Sequence, residues 1–219
     1  MNKEIVMFEN INLYNIIYSF FKRIFDIFVS LVLIIILILI SIIIKIIYII
    51  NKDYDSIIYK QERIGMFGNK FYIYKFRTMI KDADLELEKL LKIKKYKLEW
   101  DKYQKLRNDP RITKVGKFLR NTCLDELPQV INVLKGEMSF IGPRPLVEGE
   151  LDRHHGNKDL YYSIKPGITG YYVSFYNDKI SYEERLDLEY YYILNRSFKL
   201  DIKIILNTII LILKKGGSK

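Results

Sequence analysis

The chain has 219 residues, enough for one modest domain and an anchor but not for two full-sized domains. Hydrophobic residues make up 49% of the chain and charged residues 28%, so we expect apolar and charged side chains to occupy separate segments. The single cysteine, Cys123, excludes an intrachain disulfide and gives no indication of an oxidising compartment.

The N-terminal part of the chain predicts a membrane helix. Residues 27–44 carry no charge and are almost all Ile, Leu and Val. As a helix they would extend about 27 Å, close to a hydrocarbon core of about 30 Å. A cleaved signal peptide is the alternative, but the run is long for a signal core and no Ala-x-Ala-like site follows it. We therefore divide the chain into residues 1–50, an amphipathic lead-in with a membrane helix, and residues 51–219.

The excess of positive charge lies after the membrane helix. Residues 51–219 contain 32 basic and 23 acidic residues, whereas residues 1–26 are balanced. The positive-inside rule places such a segment in the cytoplasm. Its basic surface suits anionic lipid headgroups, phosphate-bearing substrates or nucleic acid, and charge alone does not choose among them.

A β-hairpin is predicted next along the chain. Two β-prone runs, 57–59 and 71–74, flank residues 65–69, which are rich in glycine and asparagine. Alternation along the second strand places Lys75 and Arg77 on the same face. The hairpin is therefore expected to present two basic side chains on one face.

Three helices are predicted after the hairpin. Residues 81–107 predict a solvated helix, because opposite charges recur at the i, i+4 spacing. Asp125 fits a helix start and Gly136 a helix end, which predicts a short helix over residues 126–134. Residues 200–215 predict an amphipathic helix that either lies at a membrane interface or packs on the core.

The adjacent acids Asp125 and Glu126 are the strongest candidates for chemistry, because they open a short helix among apolar residues. A capping role for Asp125 is the structural alternative. One carboxylate can attack phosphorus as a nucleophile, and its neighbour can hold a magnesium ion against a diphosphate. Guanidinium groups match phosphate oxygens through paired hydrogen bonds. The basic residues expected near the pair are Lys75, Arg77, Arg111, Arg120 and Arg144.

These segments resemble the bacterial sugar transferase family, the monotopic polyprenyl-phosphate phosphoglycosyl transferases. The match runs from about residue 20 to near the C-terminus, with eight motifs in the family's order. The motifs are Lys22-Arg23-Ile24-Phe25-Asp26, Gln61-Glu62-Arg63-Ile64-Gly65, Lys75-Phe76-Arg77-Thr78-Met79, Asp109-Pro110-Arg111-Ile112-Thr113, Leu124-Asp125-Glu126-Leu127-Pro128-Gln129, Asn132-Val133-Leu134-Lys135-Gly136-Glu137-Met138-Ser139, Gly142-Pro143-Arg144-Pro145 and Lys165-Pro166-Gly167-Ile168-Thr169-Gly170.

The resemblance implies a ping-pong transfer of a sugar phosphate from a nucleotide sugar, foremost a UDP-sugar, to polyprenyl phosphate. Asp125 matches the family's nucleophile, Glu126 its magnesium-binding acid, and Arg144 the arginine that contacts substrate phosphate. Glu189 stands where relatives usually carry Asp. The substrate- and phosphate-binding residues are then expected to be Lys75, Arg77, Arg111, Arg144 and Glu189.

The resemblance also implies a fold, a location and partners. We expect an α+β fold: a mainly helical membrane-associated domain with a re-entrant or spanning N-terminal membrane helix, a short β-hairpin and interfacial amphipathic helices. Residues 51–219 would form a minimal catalytic domain on the cytoplasmic side of the bacterial inner membrane, acting at the first membrane step of surface polysaccharide biosynthesis. The implied partners are nucleotide sugar, polyprenyl phosphate and anionic membrane lipids, but no nucleic acid. Downstream glycosyltransferases and a second copy of the chain are further candidates.

Two departures from the family's pattern concern the geometry. The family's membrane helix usually turns back at a Ser-Pro pair, whereas this chain has Ser41-Ile42, so only the weaker bending by a serine hydroxyl is available. Residues Tyr171–Asn177 replace a block that usually reads Trp-Ala-Gln-Val-Asn-Gly-Arg. The usual arginine is therefore absent there, and part of the substrate pocket is expected to differ.

Two other functions were weighed against the enzyme. A membrane-tethered nucleic-acid binder predicts a basic stripe, but basic residues alternate with acidic ones over residues 81–107. A catalytically altered scaffold for glycan assembly fits the changed Tyr171–Asn177 block, but the intact Asp125, Glu126 and Arg144 argue against it.

Overall fold

The protein is an α+β domain packed along one side of a long N-terminal helix. The computed structural model describes residues 2–103, 106–176 and 180–217, with side chains over 13–101, 106–176 and 180–214. The expected mainly helical fold with one short hairpin is confirmed.

Helix α1 (Asn2–Ile50) is continuous through Ser41, so the expected turn-back at that position does not form. No proline interrupts its hydrogen-bond ladder, and a serine alone does not break a helix. Within α1, Leu13–Ile50 is long and apolar enough to cross a membrane.

Helix α1 has a buried side and an exposed apolar side. Among the described side chains, the buried positions recur along one face, from Tyr18 to near the C-terminal end of the helix: Tyr18, Asp26, Ser30, Leu37, Ile44 and Tyr48. The opposite face is apolar and exposed, and includes Phe20, Phe28, Leu31, Ile35, Leu39, Ile42 and Ile46. The domain therefore covers one face of the helix over about 45 Å, taking 1.5 Å per residue.

The motif from Lys22 to Asp26 ties α1 to the domain. Lys22 Nζ donates a hydrogen bond to Asp201 Oδ2 at 2.6 Å, and Tyr18 OH donates to the same oxygen at 2.7 Å. Arg23 donates to the carbonyl oxygens of residues 133 and 134, near the end of a short helix. Asp26 Oδ1 accepts a hydrogen bond from the backbone N–H of residue 140 at 3.1 Å. The motif thus fixes the position of the helix on the domain, and its Lys22, Arg23 and Asp26 also line a cavity of about 200 Å³.

Beyond α1 the domain consists of short elements. Strands β1 (Ile58–Ile64) and β2 (Lys70–Phe76) form the predicted antiparallel hairpin, with Ile58 opposite Phe76 and Ile64 opposite Lys70. Strands β3 (Ser139–Ile141) and β4 (Gly167–Thr169) form a parallel pair that the sequence did not predict. The helices that follow α1 are α2 (Ala83–Leu91), α3 (Lys94–Tyr103), α4 (Lys114–Asn121), α5 (Val130–Lys135), α6 (Glu150–Arg153), α7 (Lys158–Tyr161), α8 (Tyr171–Phe175), α9 (Tyr182–Asn195) and α10 (Phe198–Gly217).

Asn132 holds the hairpin against α5. Its side chain is fully buried, donates a hydrogen bond to the carbonyl oxygen of Tyr72 at 2.7 Å and accepts one from the N–H of Tyr74 at 3.1 Å. Because a strand normally satisfies such groups by pairing, this amide replaces a neighbouring strand at that point. It thereby brings β2 alongside the segment that carries the acidic pair.

Helix α10 turns its apolar side outward. Asp201 and Ile204 are buried against the domain, whereas Ile202, Leu206 and Leu213 are exposed. This arrangement is the reverse of a helix on a water-soluble protein, and it is the one an interfacial helix requires.

Candidate active site

The acidic pair lies on a short 3₁₀ segment, Leu124–Gln129, directly before α5. Cys123 occupies the position before the first turn with a positive φ of 57°, and Asp125 and Glu126 lie within the first turn. Asp125 is therefore not the capping residue of this segment. Pro128 is buried near the C-terminal end of the segment, and its fixed φ suits a tight turn.

Lys75 joins the hairpin to the acidic pair. Its Nζ donates a hydrogen bond to Glu126 Oε1 at 2.8 Å, and both side chains are partly buried. Asp125 is half-buried, and this burial, together with the charge of Glu126, raises the pKa of Asp125 above its ordinary value, while Lys75 and Arg120 act in the opposite direction. Two carboxylates and two cations thus lie within electrostatic range of each other.

A cavity of about 170 Å³ opens beside the acidic pair. Four of the expected site residues are near it: Lys75, Glu126, Arg144 and Glu189 line its wall, as do the backbone of Gly142 and residues 167–170. Gly142 and Gly167 approach closely, since a Cβ on Gly167 would lie 2.1 Å from the nitrogen of Gly142. The close contact keeps the loop carrying Arg144 at the edge of the cavity.

Two of the expected phosphate-binding arginines face other partners. Arg77 Nη2 donates to both carboxylate oxygens of Asp53 at 2.8 Å, at the end of α1. Arg111 is buried and binds Asp109 through its Nε and Nη2 at 2.9 and 2.7 Å. Neither side chain lines the cavity. Both arginines neutralise an acid in a loop instead.

The cavity wall also includes Arg63 and Gln129, which we did not single out from the sequence as site residues. Arg63 is 9% exposed, and its Nε has no hydrogen-bond partner among the described residues. Both residues lie in motifs that carry the family resemblance, Gln61–Gly65 and Leu124–Gln129. Their place in those motifs was the signal that could have identified them.

Glu189 is a fully buried carboxyl on the cavity wall. Its Oε1 accepts a long hydrogen bond from the N–H of Arg144 at 3.4 Å, and its Oε2 has no partner among the described residues. Burial raises the pKa of Glu189 to about 7, against the opposing charges of Arg185 and Arg144. An unpaired buried oxygen is costly in a folded protein and marks a place where a ligand can complete the bonding.

The altered block reaches the site directly through Val173, which lines the cavity, and indirectly through Arg185. The block's Tyr171–Phe175 forms α8, and Asn177 lies outside the described residues. The Arg185 guanidinium lies over the rings of Tyr172 and Tyr182, each 5.3 Å from the ring centre. Arg185, whose charge acts on Glu189, thus contacts a tyrosine of the altered block.

The residues present fit a magnesium ion held largely by substrate. Among the described residues no group of three or more His, Cys, Asp or Glu side chains converges on one point. Magnesium usually keeps several waters and binds through one or two carboxylates plus phosphate oxygens. Glu126 suits this role, because Lys75 occupies only its Oε1 and no described donor bonds to its Oε2.

Comparisons of the sequence with known proteins find similar sugar transferases. The chain is 45% identical over 91% of its length to the "UDP-galactose-lipid carrier transferase" of Erwinia amylovora, covering 42% of that protein. It is 36% identical over 90% of its length to the "Exopolysaccharide production protein ExoY" of Sinorhizobium fredii, covering 87% of it. It is 37% identical over 70% of its length to the "UDP-glucose:undecaprenyl-phosphate glucose-1-phosphate transferase" of Escherichia coli, covering 32% of it.

The relatives differ in length, and the chain spans about two fifths of the length of the Erwinia protein. The family model described as "Bacterial sugar transferase" matches residues 17–215. This range begins one residue before Tyr18 of α1 and includes Asp125, Glu126, the residues that line the cavity and most of α10. The chain belongs to the bacterial sugar transferase family.

Proposed function

We propose that the protein transfers a sugar 1-phosphate from a UDP-sugar to polyprenyl phosphate, in surface polysaccharide biosynthesis. The observation that carries the proposal is that Glu126, Lys75 and Arg144 line one cavity directly beside Asp125. The names of the Erwinia and Escherichia relatives support a UDP-sugar donor and a lipid-phosphate acceptor.

The reaction divides into two displacements at the same phosphorus. A carboxylate oxygen of Asp125 attacks the sugar-bearing phosphorus, the bond to the other phosphate breaks, and uridine monophosphate leaves with the bonding electrons. An oxygen of polyprenyl phosphate then attacks the phosphosugar on Asp125, and the carboxylate leaves. The products are uridine monophosphate and a sugar joined to the lipid through a diphosphate, with no water consumed.

The charges around Asp125 suit both displacements. Burial and the neighbouring Glu126 raise the pKa of Asp125, and a more basic carboxylate is a stronger nucleophile. Lys75 and Arg120 favour its ionised form, and Lys75 also lines the cavity, where it can stabilise the charge that develops during the transfer. Magnesium bound at Glu126 would supply positive charge against the diphosphate. Arg144, which is exposed at the cavity edge, can bind a phosphate oxygen without losing a partner within the protein.

We further propose that α1 lies along the cytoplasmic surface of the inner membrane instead of crossing it. The domain contacts α1 from Tyr18 to Tyr48, a length of about 45 Å, which exceeds a hydrocarbon core of about 30 Å. A spanning helix would draw part of the domain into the bilayer. The exposed apolar faces of α1 and α10 can instead enter one leaflet, while the basic domain faces anionic headgroups.

The test uses purified protein in lipid nanodiscs with magnesium. UDP-glucose, UDP-galactose and their N-acetyl derivatives are each incubated with polyprenyl phosphate, and uridine monophosphate release is measured. We expect release with at least one donor. We also expect labelled uridine monophosphate to exchange into that donor without any lipid acceptor, because the first displacement needs none. An enzyme that is active with lipid but shows no exchange would contradict the covalent role of Asp125.

A further inference from the structure

Glu189 combines complete burial with an unused hydrogen-bonding oxygen. Its side chain is 0% exposed, yet it lines the cavity, and its Oε2 has no hydrogen-bond partner among the described residues. Leaving a buried polar atom unpaired costs about 1–3 kcal/mol, so folded proteins rarely keep one without a ligand or water to pair with it. The position of this oxygen therefore points to a donor group that enters the cavity.

The groups around Glu189 come from four parts of the fold. Arg144 follows β3, Arg185 precedes Glu189 by one turn on α9, and Tyr161 ends α7. Arg63 of β1 lies on the same cavity, within electrostatic range of Arg144 and Arg185. Arg185 Nε and Nη2 are also buried without partners. Of these neighbours, Arg185 and Arg144 favour the charged form of the carboxyl, and none of the four bonds to Oε2.

The size of the cavity limits what can reach this oxygen. Its volume is about 170 Å³, and an apolar cavity of about 150 Å³ holds one benzene ring. A whole nucleotide sugar is too large, so one ring enters and the remainder lies towards the open side. Glu126 lines the same cavity and lies next to Asp125, where the sugar-bearing phosphate must be placed for attack. The ring bonded to that phosphate is the sugar, so the sugar occupies the cavity.

We infer that Glu189 accepts a hydrogen bond from a hydroxyl or amide N–H of the transferred sugar and thereby selects which sugar is used. An ionised carboxylate repels phosphate but accepts hydrogen bonds well, so its chemistry fits the sugar and not the diphosphate. A site built to bond one donor group discriminates strongly against an analogue that lacks it, because the buried oxygen is then left unpaired. The inference rests on the proposed function.

The role predicts a pH dependence of a defined sign. The pKa of Glu189 is about 7, raised by burial, so the carboxyl is mostly protonated at pH 6 and mostly ionised at pH 8. A protonated carboxyl has lost most of its strength as an acceptor. Affinity for the preferred UDP-sugar should therefore rise across this interval. The same UDP-sugar should lack that rise when it binds to Glu189→Gln, because an amide does not ionise; UDP alone is no reference for the pH profile, since its terminal phosphate ionises near pH 6.

The experiment measures equilibrium binding of UDP-glucose, UDP-galactose and UDP in nanodiscs with magnesium, at pH 6, 7 and 8, to the full chain carrying Asp125→Asn, which cannot form the phosphosugar intermediate. For Glu189→Gln we expect binding of the preferred UDP-sugar at pH 8 to weaken at least about tenfold, while UDP binding changes by less than about threefold. The rise with pH should disappear. Glu183→Gln, an exposed carboxyl on the same helix, is the matched control and should behave as the unaltered protein.

A second arm keeps Glu189 and the Asp125→Asn background, in case Glu189→Gln does not fold. Deoxy analogues of the preferred UDP-sugar remove one hydroxyl at a time, and the analogue lacking the bonded hydroxyl should bind at least about tenfold more weakly and lose the pH dependence. The inference is overturned if UDP and UDP-sugar weaken equally in Glu189→Gln, or if no deoxy analogue changes the pH profile. Failure of the proposed function looks different, since the unaltered protein would then release no uridine monophosphate from any UDP-sugar.

Discussion

Lys75 Nζ donates a hydrogen bond to Glu126 Oε1 across 51 positions of the chain, which joins the second hairpin strand to the acidic pair. The contact places Lys75 and Glu126 on the wall of one cavity, and Asp125 is the neighbour of Glu126 in the chain. Asp125, beside this pair, has no competing structural role as a helix cap. Its chemistry can therefore be separated experimentally from its contribution to folding.

We expect Asp125→Asn to abolish both lipid-dependent turnover and lipid-free exchange, because an amide cannot form the phosphosugar intermediate. Stability should stay the same or rise slightly, since the change removes a half-buried charge next to Glu126. Monophosphate release, exchange and thermal unfolding are measured on the same preparation. Turnover of more than about one thousandth of the original rate in clean protein would contradict a nucleophilic role.

Glu126→Gln should act mainly through magnesium. The variant keeps a hydrogen-bond acceptor for Lys75 but loses the charge that would hold the ion. We expect the magnesium concentration at half-maximal rate to rise about tenfold or more, with partial recovery of the rate at high magnesium. Glu148→Gln, an exposed carboxyl paired with Lys70, is the control. An unchanged magnesium dependence would remove Glu126 from the metal site.

Replacing Arg111 by alanine should lower the stability of the protein, whereas replacing Arg144 by alanine should lower its catalytic efficiency. Arg111→Ala leaves Asp109 buried and unpaired, so we expect a loss of about 3–5 kcal/mol in the free energy of unfolding. Arg144→Ala should lower kcat/KM for the nucleotide sugar about 10- to 100-fold, because a charged hydrogen bond to phosphate is lost, with little change in stability. Equal effects of both variants on stability would contradict this division.

The Asp109–Arg111 pair also predicts a pH dependence of stability. Burial opposes ionisation, but hydrogen bonds from Arg111 outweigh it and hold the pKa of Asp109 below its ordinary value. The stabilisation is therefore complete above about pH 4, the pKa of an unfolded Asp, and is lost as the pH falls through the folded value. Thermal unfolding of Asp109→Asn, measured between pH 3 and 6, should lack this part of the acid destabilisation.

Gly116 should not tolerate a methyl group. A Cβ there would lie 1.9 Å from the carbonyl oxygen of Thr78, so α4 would have to move away from the hairpin, taking Leu119 out of the core. We expect Gly116→Ala to cost about 2 kcal/mol or more. Gly68→Ala is the control, because it has a positive φ but open space around it, and should cost about 1 kcal/mol. Melting temperatures compare the two, and equal shifts would contradict the close contact.

The topology of α1 is tested by labelling single cysteines in intact cells. In a Cys123→Ser background, cysteines are placed at residues 5 and 51, near the two ends of α1. We expect neither to react with a membrane-impermeant maleimide from outside, and both to react after permeabilisation, because both ends lie on the cytoplasmic side. External labelling at residue 5 alone would show that the helix spans the membrane.

The hydrophobic pattern predicted the long helix, the hairpin and the C-terminal helix, because each is set by local periodicity. The predicted helix over residues 81–107 was only partly right, since the structure interrupts it between Leu91 and Lys94. The pattern did not predict the β3–β4 pair, whose strands have three residues each and are joined only by contacts distant in the chain. Three residues are too few to display a period.

For the site, the sequence identified which residues carry charge but not which partners they have. Arg77 was placed on the face of Lys75 by alternation, yet β2 ends at Phe76 and Arg77 bonds to Asp53. For Arg111 a local signal existed, because Asp109 precedes it by two residues in a proline-containing turn. The burial of Glu189 depends on several elements packing around it, and no local pattern shows that.

The exposed apolar sides of α1 and α10 have a consequence for the kinetics: the concentration of the lipid acceptor counts per membrane area, and that of the nucleotide sugar per volume of water. If these faces lie in one leaflet, the protein meets its lipid acceptor by diffusion in two dimensions, and encounters depend on acceptor molecules per unit of membrane area. The nucleotide sugar arrives from water, where the ordinary volume concentration applies. Adding inert lipid therefore dilutes the acceptor while leaving the donor unchanged, so it should slow the second half-reaction and not the first.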